Sequence, residues 1–179
     1  MVLGITELLR LVEERSLVEN LAARELENPE GAGFDFRIGT LYRLTGQGFL
    51  GVTERETPEV EELTAFDPEA TATVVLEPHA YYVMKTAERV NVPDDLVALI
   101  TPRSTLYRSG VMVFAGDVKP GYRGELNLGI MNLRDEPFVL EMGARVCHVM
   151  FHKVEGGTAP YRGQWQDGRT TTDTKETQV

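Results

Sequence analysis

Arg103, Ser104, Arg108, Lys119 and Arg123 fall within the single stretch Pro102–Gly124, where Asp117 is the one acid. Four basic residues against one acid give that stretch a net charge of +3, inside a chain whose net charge is −10. A small basic pocket in an acidic surface focuses positive potential on a compact anion and repels long polyanions. That pattern suits a nucleoside triphosphate. Arginine meets its anionic oxygens with a rigid fork of donors, while hydroxyls and backbone amides fill the gaps. Two ordinary strands with solvated arginines would give the same count. If Leu106 opens a short helix, Ser104 and Arg108 lie one turn apart and converge; otherwise Ser104 is an N-cap and Arg108 a surface residue. Pro120-Gly121 supplies a turn, and Gly116 and Gly124 permit close backbone approach, so a hairpin follows the arginines.

The elements that must hold these residues are mostly strands. Ile5, Leu8, Leu9, Val12 and Leu17 recur at helical spacing and predict an N-terminal helix, with Glu13, Glu14 and Arg15 facing water. Phe34–Leu44 alternates as a strand, setting Asp35 and Arg37 opposite Phe34, Phe36 and Ile38. From Thr71 onward short β-branched and aromatic runs are punctuated by Pro78, Pro93, Pro120-Gly121, Asp135 and Gly143, the pattern of a β-sandwich or jelly-roll barrel. Between them, residues 46–70 carry seven acids among glycines and threonines, and read as an exposed, partly mobile excursion. One domain over residues 1–168 and a polar tail over 169–179, loose unless it folds over something, are the expected organisation.

Bulk properties narrow the partners. A charge of −10 argues against general nucleic-acid binding, which requires neutralising many phosphates. No apolar run approaches a spanning helix, no basic amphipathic segment is present, and residues 1–11 are too polar for a signal peptide. The single cysteine, Cys147, excludes an internal disulfide and fits a reducing, cytoplasmic setting. His148 and His152 share a strand face about 13 Å apart, too far for one zinc ion, and are candidates for a subunit interface.

Taken in order, the motifs resemble those of the trimeric dUTPase and dCTP deaminase superfamily. "PRSTLYR" (Pro102–Arg108) is similar to its arginine-serine phosphate motif, and "AGDVKPGYRGELNLGIMN" (Ala115–Asn132) to its pyrimidine-binding hairpin. "GAGFDFRIG" (Gly31–Gly39), "GARVCHVMF" (Gly143–Phe151) and "PYRGQWQDG" (Pro160–Gly168) resemble further motifs, the last of them in the deaminase branch. The resemblance implies a mainly β, distorted jelly-roll fold with an N-terminal helix, assembled as a homotrimer with sites between chains. It implies dUTP or dCTP as ligand. Arg103, Ser104 and Arg108 would hold the phosphates, and the backbone near Ala115 and Gly116 would read the base. Tyr122 would pack on the deoxyribose, though it could equally be a half-buried strand aromatic. Tyr161, Arg162, Gln164 and Arg169 would close over the nucleotide, and Trp165 would stack on it or anchor the tail. Mg2+ would come with the triphosphate; Asp35 resembles a residue near that region, but pairing with Arg37 or Arg43 is the preferred structural reading.

Two departures separate this chain from both branches. Hydrolysis of a phosphoanhydride calls for a carboxylate that holds water, and the dUTPase aspartate aligns with Lys119. Asp117, two residues upstream on the same strand face, is the candidate replacement. The deaminase glutamate aligns with Gly129, and Glu125 is about 13 Å away along an extended strand. Hydrolysis of dUTP to dUMP and pyrophosphate, with Asp117, Ser104 and Arg108 as catalytic candidates, is therefore the favoured expectation. A dCTP deaminase and a non-catalytic nucleotide-binding regulator are the alternatives.

Overall fold

The structure, a computed structural model, describes residues 1–178. Helix α1 (Ile5–Arg15) buries Leu8 and Leu11 and stops at Ser16, whose φ of 50° breaks the helix. Leu17 is fully buried through that turn rather than by the helical face its spacing suggests. A short strand β1 (Val18–Glu19) and helix α2 (Ala23–Glu27) lead into β2 (Phe34–Thr45). Two small strands, β3 (Phe49–Leu50) and β4 (Glu54–Glu56), precede β5 (Glu59–Ala65) and β6 (Thr73–Leu76). The centre of the molecule is β7 (Tyr81–Asn91), followed by β8 (Leu96–Pro102), helix α3 (Ser104–Arg108), β9 (Val111–Phe114) and β10 (Asp117–Val118). Strands β11 (Arg123–Asn132), β12 (Phe138–Glu141), β13 (Arg145–Lys153) and β14 (Glu176–Thr177) complete the chain.

The main sheet runs β10-β8-β13-β2-β7-β11-β9, with β1 on β7 and β5 on β2, and its pairings are antiparallel. The chain is thus mainly β with a helix at its start, as the strand pattern predicts. Along β7 burial alternates residue by residue, so Tyr82, Met84 and Val90 point inward beside Phe34, Phe36, Ile38, Ile130 and Phe151. Each fully buried side chain of that size contributes roughly 1.5–3 kcal/mol. Cys147 is fully buried in the same core, and burial pushes its thiol pKa up. It is a packing residue.

Two inward positions of β7 are polar and need partners. The Glu88 carboxylate is fully buried and accepts the Arg37 backbone N–H at 2.7 Å and its Nε at 2.6 Å. Burial raises its pKa, opposed by those bonds. Thr86 Oγ1 donates to the Glu88 carbonyl and accepts the Leu126 N–H at 2.9 Å.

The acidic excursion has more strand than expected, and the tail folds over it. Residues 59–65 pair along β2 from Thr45 to Thr40, and β3 and β4 form a small sheet with β14 from the tail. Each segment supplies the backbone partners the other lacks, which neither sequence reveals. Thr57 Oγ1 bonds Thr171 Oγ1 at 2.8 Å, and Gln178 donates its backbone N–H to Thr53 and its Nε2 to Gly51. The tail folds onto the excursion.

Candidate functional site

The hairpin that carries the site begins from a defect in pairing. Between Glu125 and Asn127 the β11–β7 register shifts, and the Leu126 N–H freed from the ladder is the one Thr86 accepts. Beyond this bulge Leu126, Leu128 and Ile130 turn into the core, while Asn127 and Gly129 share the opposite face. That face, with β10 and part of β7, bounds a cavity of about 410 Å³. Val83 and Ile100 give it apolar walls; Asp117 and Lys119 stand together in its lining, joined by a 2.8 Å ion pair. Asp117 is the only carboxylate among the lining residues.

Tyr122 is 8% exposed and lines the cavity with its ring, its hydroxyl donating to the Glu125 carbonyl at 2.7 Å. Burial, reinforced by Tyr161, pushes its pKa up to about 12. Tyr161 meets it edge-on with ring centroids 5.5 Å apart. The C-terminal segment is bolted to the hairpin turn by Gln166, which accepts the Arg123 N–H at 2.8 Å and donates to the Gly121 carbonyl at 3.0 Å. Gly124 allows this contact: a Cβ there would lie 2.2 Å from the Gly168 nitrogen. Trp165, Arg169 and Thr170 then roof the cavity, with Thr57 beside them. Arg55 holds Trp165 from outside, its guanidinium 5.4 Å from the ring, and Arg169 is held by Asp173 and Glu176.

The arginine-serine segment lies elsewhere on the chain. None of Arg103, Ser104 and Arg108 lines the cavity. Ser104 opens α3, where Arg103 takes the capping position without a side-chain bond, and Ser104 and Arg108 are exposed. Arg103 pairs with Asp35, which also receives Arg145 Nη1 and His148 Nδ1, each at 2.9 Å. The Asp35 backbone N–H donates to the buried Glu25 carboxylate at 3.0 Å. Burial would raise the Asp35 pKa, but the His148 hydrogen bond and the Arg103 and Arg145 charges overcome it and leave it lowered. Both carboxylate oxygens are engaged, which argues against a metal-holding role. Its partners are not Arg37 or Arg43, because those bind Glu88 and Glu61.

Of the residues singled out in the sequence, Gly116, Asp117, Lys119, Tyr122, Gly129, Tyr161, Trp165 and Arg169 line the cavity. Ala115 is exposed beside it, Arg162 is exposed, and Gln164 is half-buried with both amide atoms unpartnered among the described residues. Sequence reasoning missed Tyr81, Asn127 and Arg145. Asn127 donates to the Gly168 and Arg169 carbonyls, both at 3.2 Å. The alternation of β7 could have placed Tyr81 on the cavity side; nothing in the sequence marks the others. His148 and His152 hold no metal cluster: among the described residues no three His, Cys, Asp or Glu side chains are grouped to bind an ion.

The chain's class of fold is a curled antiparallel sheet with a bulged hairpin and a roofed pocket. Residues 2–154 match the dCTP deaminase-like family model, and the chain belongs to that family. A dCTP deaminase of Thermococcus gammatolerans is 30% identical over 159 residues, 88% of each chain. A probable deoxyuridine 5'-triphosphate nucleotidohydrolase of Methanopyrus kandleri is 33% identical over 125 residues, 69% of this chain and 79% of that one. The crystal structure of 2'-deoxycytidine 5'-triphosphate deaminase from Agrobacterium tumefaciens shares the fold, with a TM-score of 0.64 at 19% identity over 86% of this chain. The chain spans about half of that protein, 48% of its length. Relatives thus carry both activities, and the family contains dCTP deaminases and dUTPases. No described helix is long and apolar enough to cross a membrane.

Proposed function

We propose that this chain hydrolyses dUTP to dUMP and pyrophosphate. The observation that carries this reading is Asp117, the one carboxylate lining the hairpin cavity, with a lysine at 2.8 Å. One carboxylate oxygen is held by Lys119, and the other can take a proton from a water as that water attacks the α-phosphorus. Lys119 offsets charge as pyrophosphate departs. Deamination at a pyrimidine C4 would need a proton-transfer group at the Gly129 end. No lining residue supplies a carboxylate there.

The phosphate ligands Arg103, Ser104 and Arg108 lie outside the same chain's cavity. A homotrimer that sets one chain's Pro102–Arg108 segment against another's hairpin would bring them to the triphosphate. Mg2+ would be held by triphosphate oxygens and water, since it keeps much of its hydration. Release of pyrophosphate from dUTP and dCTP tests the proposal; no turnover of either overturns it. Asp117→Asn should lower turnover about 100-fold or more while binding is kept.

The second reading is a binding-only regulator, favoured by the same ion pair, which already occupies part of the Asp117 carboxylate. Tight nucleotide binding without product after long incubation would select it, and ammonia release from dCTP would select a deaminase instead.

A further inference from the structure

Gly129 is small for a reason that lies on another strand. A Cβ built at Gly129 would fall 2.3 Å from the Tyr81 hydroxyl and 2.9 Å from the ring carbon that bears it. Tyr81 pairs with Met131 in the β7–β11 ladder and stands diagonal to Gly129, a separation that an aromatic side chain spans. Phe114, the partner of Gly129 on β9, packs against the Tyr81 ring with centroids 5.9 Å apart. The ring is thus held over the glycine from two strands.

Tyr81, 42% exposed, is in the cavity lining, and its hydroxyl makes no hydrogen bond among the described residues. Burial alone raises its pKa, with no hydrogen bond contributing, so it is a neutral phenol at physiological pH. Beside it on the same face the lining is apolar: Val83 and Gly129. Of the charged lining residues, Asp117 and Lys119 belong to the turn side of the hairpin, next to Tyr122, and Arg169 in the roof is paired with Asp173 and Glu176. Gly129 lies further along β11, with Tyr81 across from it on β7. A ligand with a flat ring and an anionic tail fits this division with the ring toward Tyr81 and the anion toward Lys119.

We propose that the Tyr81 hydroxyl contacts the substituent at the 4-position of the bound pyrimidine, in space that Gly129 leaves open. The inference rests on the cavity holding a pyrimidine deoxynucleotide. A phenol donates to the carbonyl oxygen of uracil and accepts from the amino group of cytosine. It therefore supports binding of either base and recognises the presence of a polar 4-substituent.

The test is calorimetric binding to the assembled protein of dUTP, dCTP and the 2-pyrimidinone deoxynucleoside triphosphate, which bears hydrogen at that position. Wild-type protein should bind dUTP or dCTP roughly tenfold more tightly than the unsubstituted analogue. Tyr81→Phe should lose about that factor for the natural nucleotide and keep its affinity for the analogue. Gly129→Ala, which displaces the hydroxyl without removing it, should move affinity in the same direction and covers the case of a Tyr81 variant that fails to fold. An unchanged preference in a folded variant overturns the role of Tyr81. If wild-type protein binds none of the three, the pyrimidine reading itself falls, and the proposal with it.

Discussion

The hairpin cavity and the Asp35 cluster lie close together in sequence through Pro102–Gly124, yet they are built on opposite principles. In the cavity the lining is rings, glycines and backbone, and charge is limited to Asp117, Lys119 and Arg169. In the cluster two arginines and a histidine converge on one carboxylate that is 4% exposed. A basic count in the sequence does not distinguish charge offered to a ligand from charge already neutralised inside the protein. Arg103 is largely spoken for, whereas Arg108 forms no ion pair among the described residues and is exposed. Of the two, Arg108 is the free cation.

The sharpest way to break that contrast is Asp35→Asn. It leaves Arg103, Arg145 and His148 facing a neutral amide, and truncating a buried pair in this way costs about 3–5 kcal/mol. Chemical denaturation should register that loss, while nucleotide affinity per folded molecule changes far less. An equal fall in both would show that the cluster and the binding function are one unit. A related outcome concerns acid. Because the folded Asp35 pKa is depressed, its contribution is fully present above the unfolded carboxylate value, about 3.9, and is lost as pH falls through the folded one. Stability measured from pH 5 downward should therefore fall less steeply in Asp35→Asn than in wild type. On the cavity side the smallest effect is expected from Tyr122→Phe. It removes the bond to the Glu125 carbonyl, about 1 kcal/mol, and leaves the ring in place. A melting shift much larger than that would mean the hydroxyl also ties down the C-terminal segment.

The same contrast governs how much of the molecule is legible in its sequence. Alternation along Phe34–Thr45 and Tyr81–Asn91 is local, so the strands and the core residues Phe34, Phe36 and Met84 are legible there. So is the turn at Pro120-Gly121, because its chemistry is carried by the residues that make it. The partners of Asp35 are not, since Arg145 lies 110 positions away and His148 113. Their meeting depends on β13 lying beside β2, a choice no single strand records. Tyr81 over Gly129 is hidden for the same reason: a glycine in a strand announces close approach without naming the visitor. The excursion and the tail each read as polar and loose, and are ordered by distant partners: residues 59–65 by β2, and β4 and the tail by each other.

Cys147 has a practical consequence beyond packing. With the native thiol fully buried and its ionisation suppressed, it should resist alkylating dyes. Replacing Thr170 above the pocket with cysteine would give a single labelling point. A fluorophore there should report directly whether the roof shifts when nucleotide arrives.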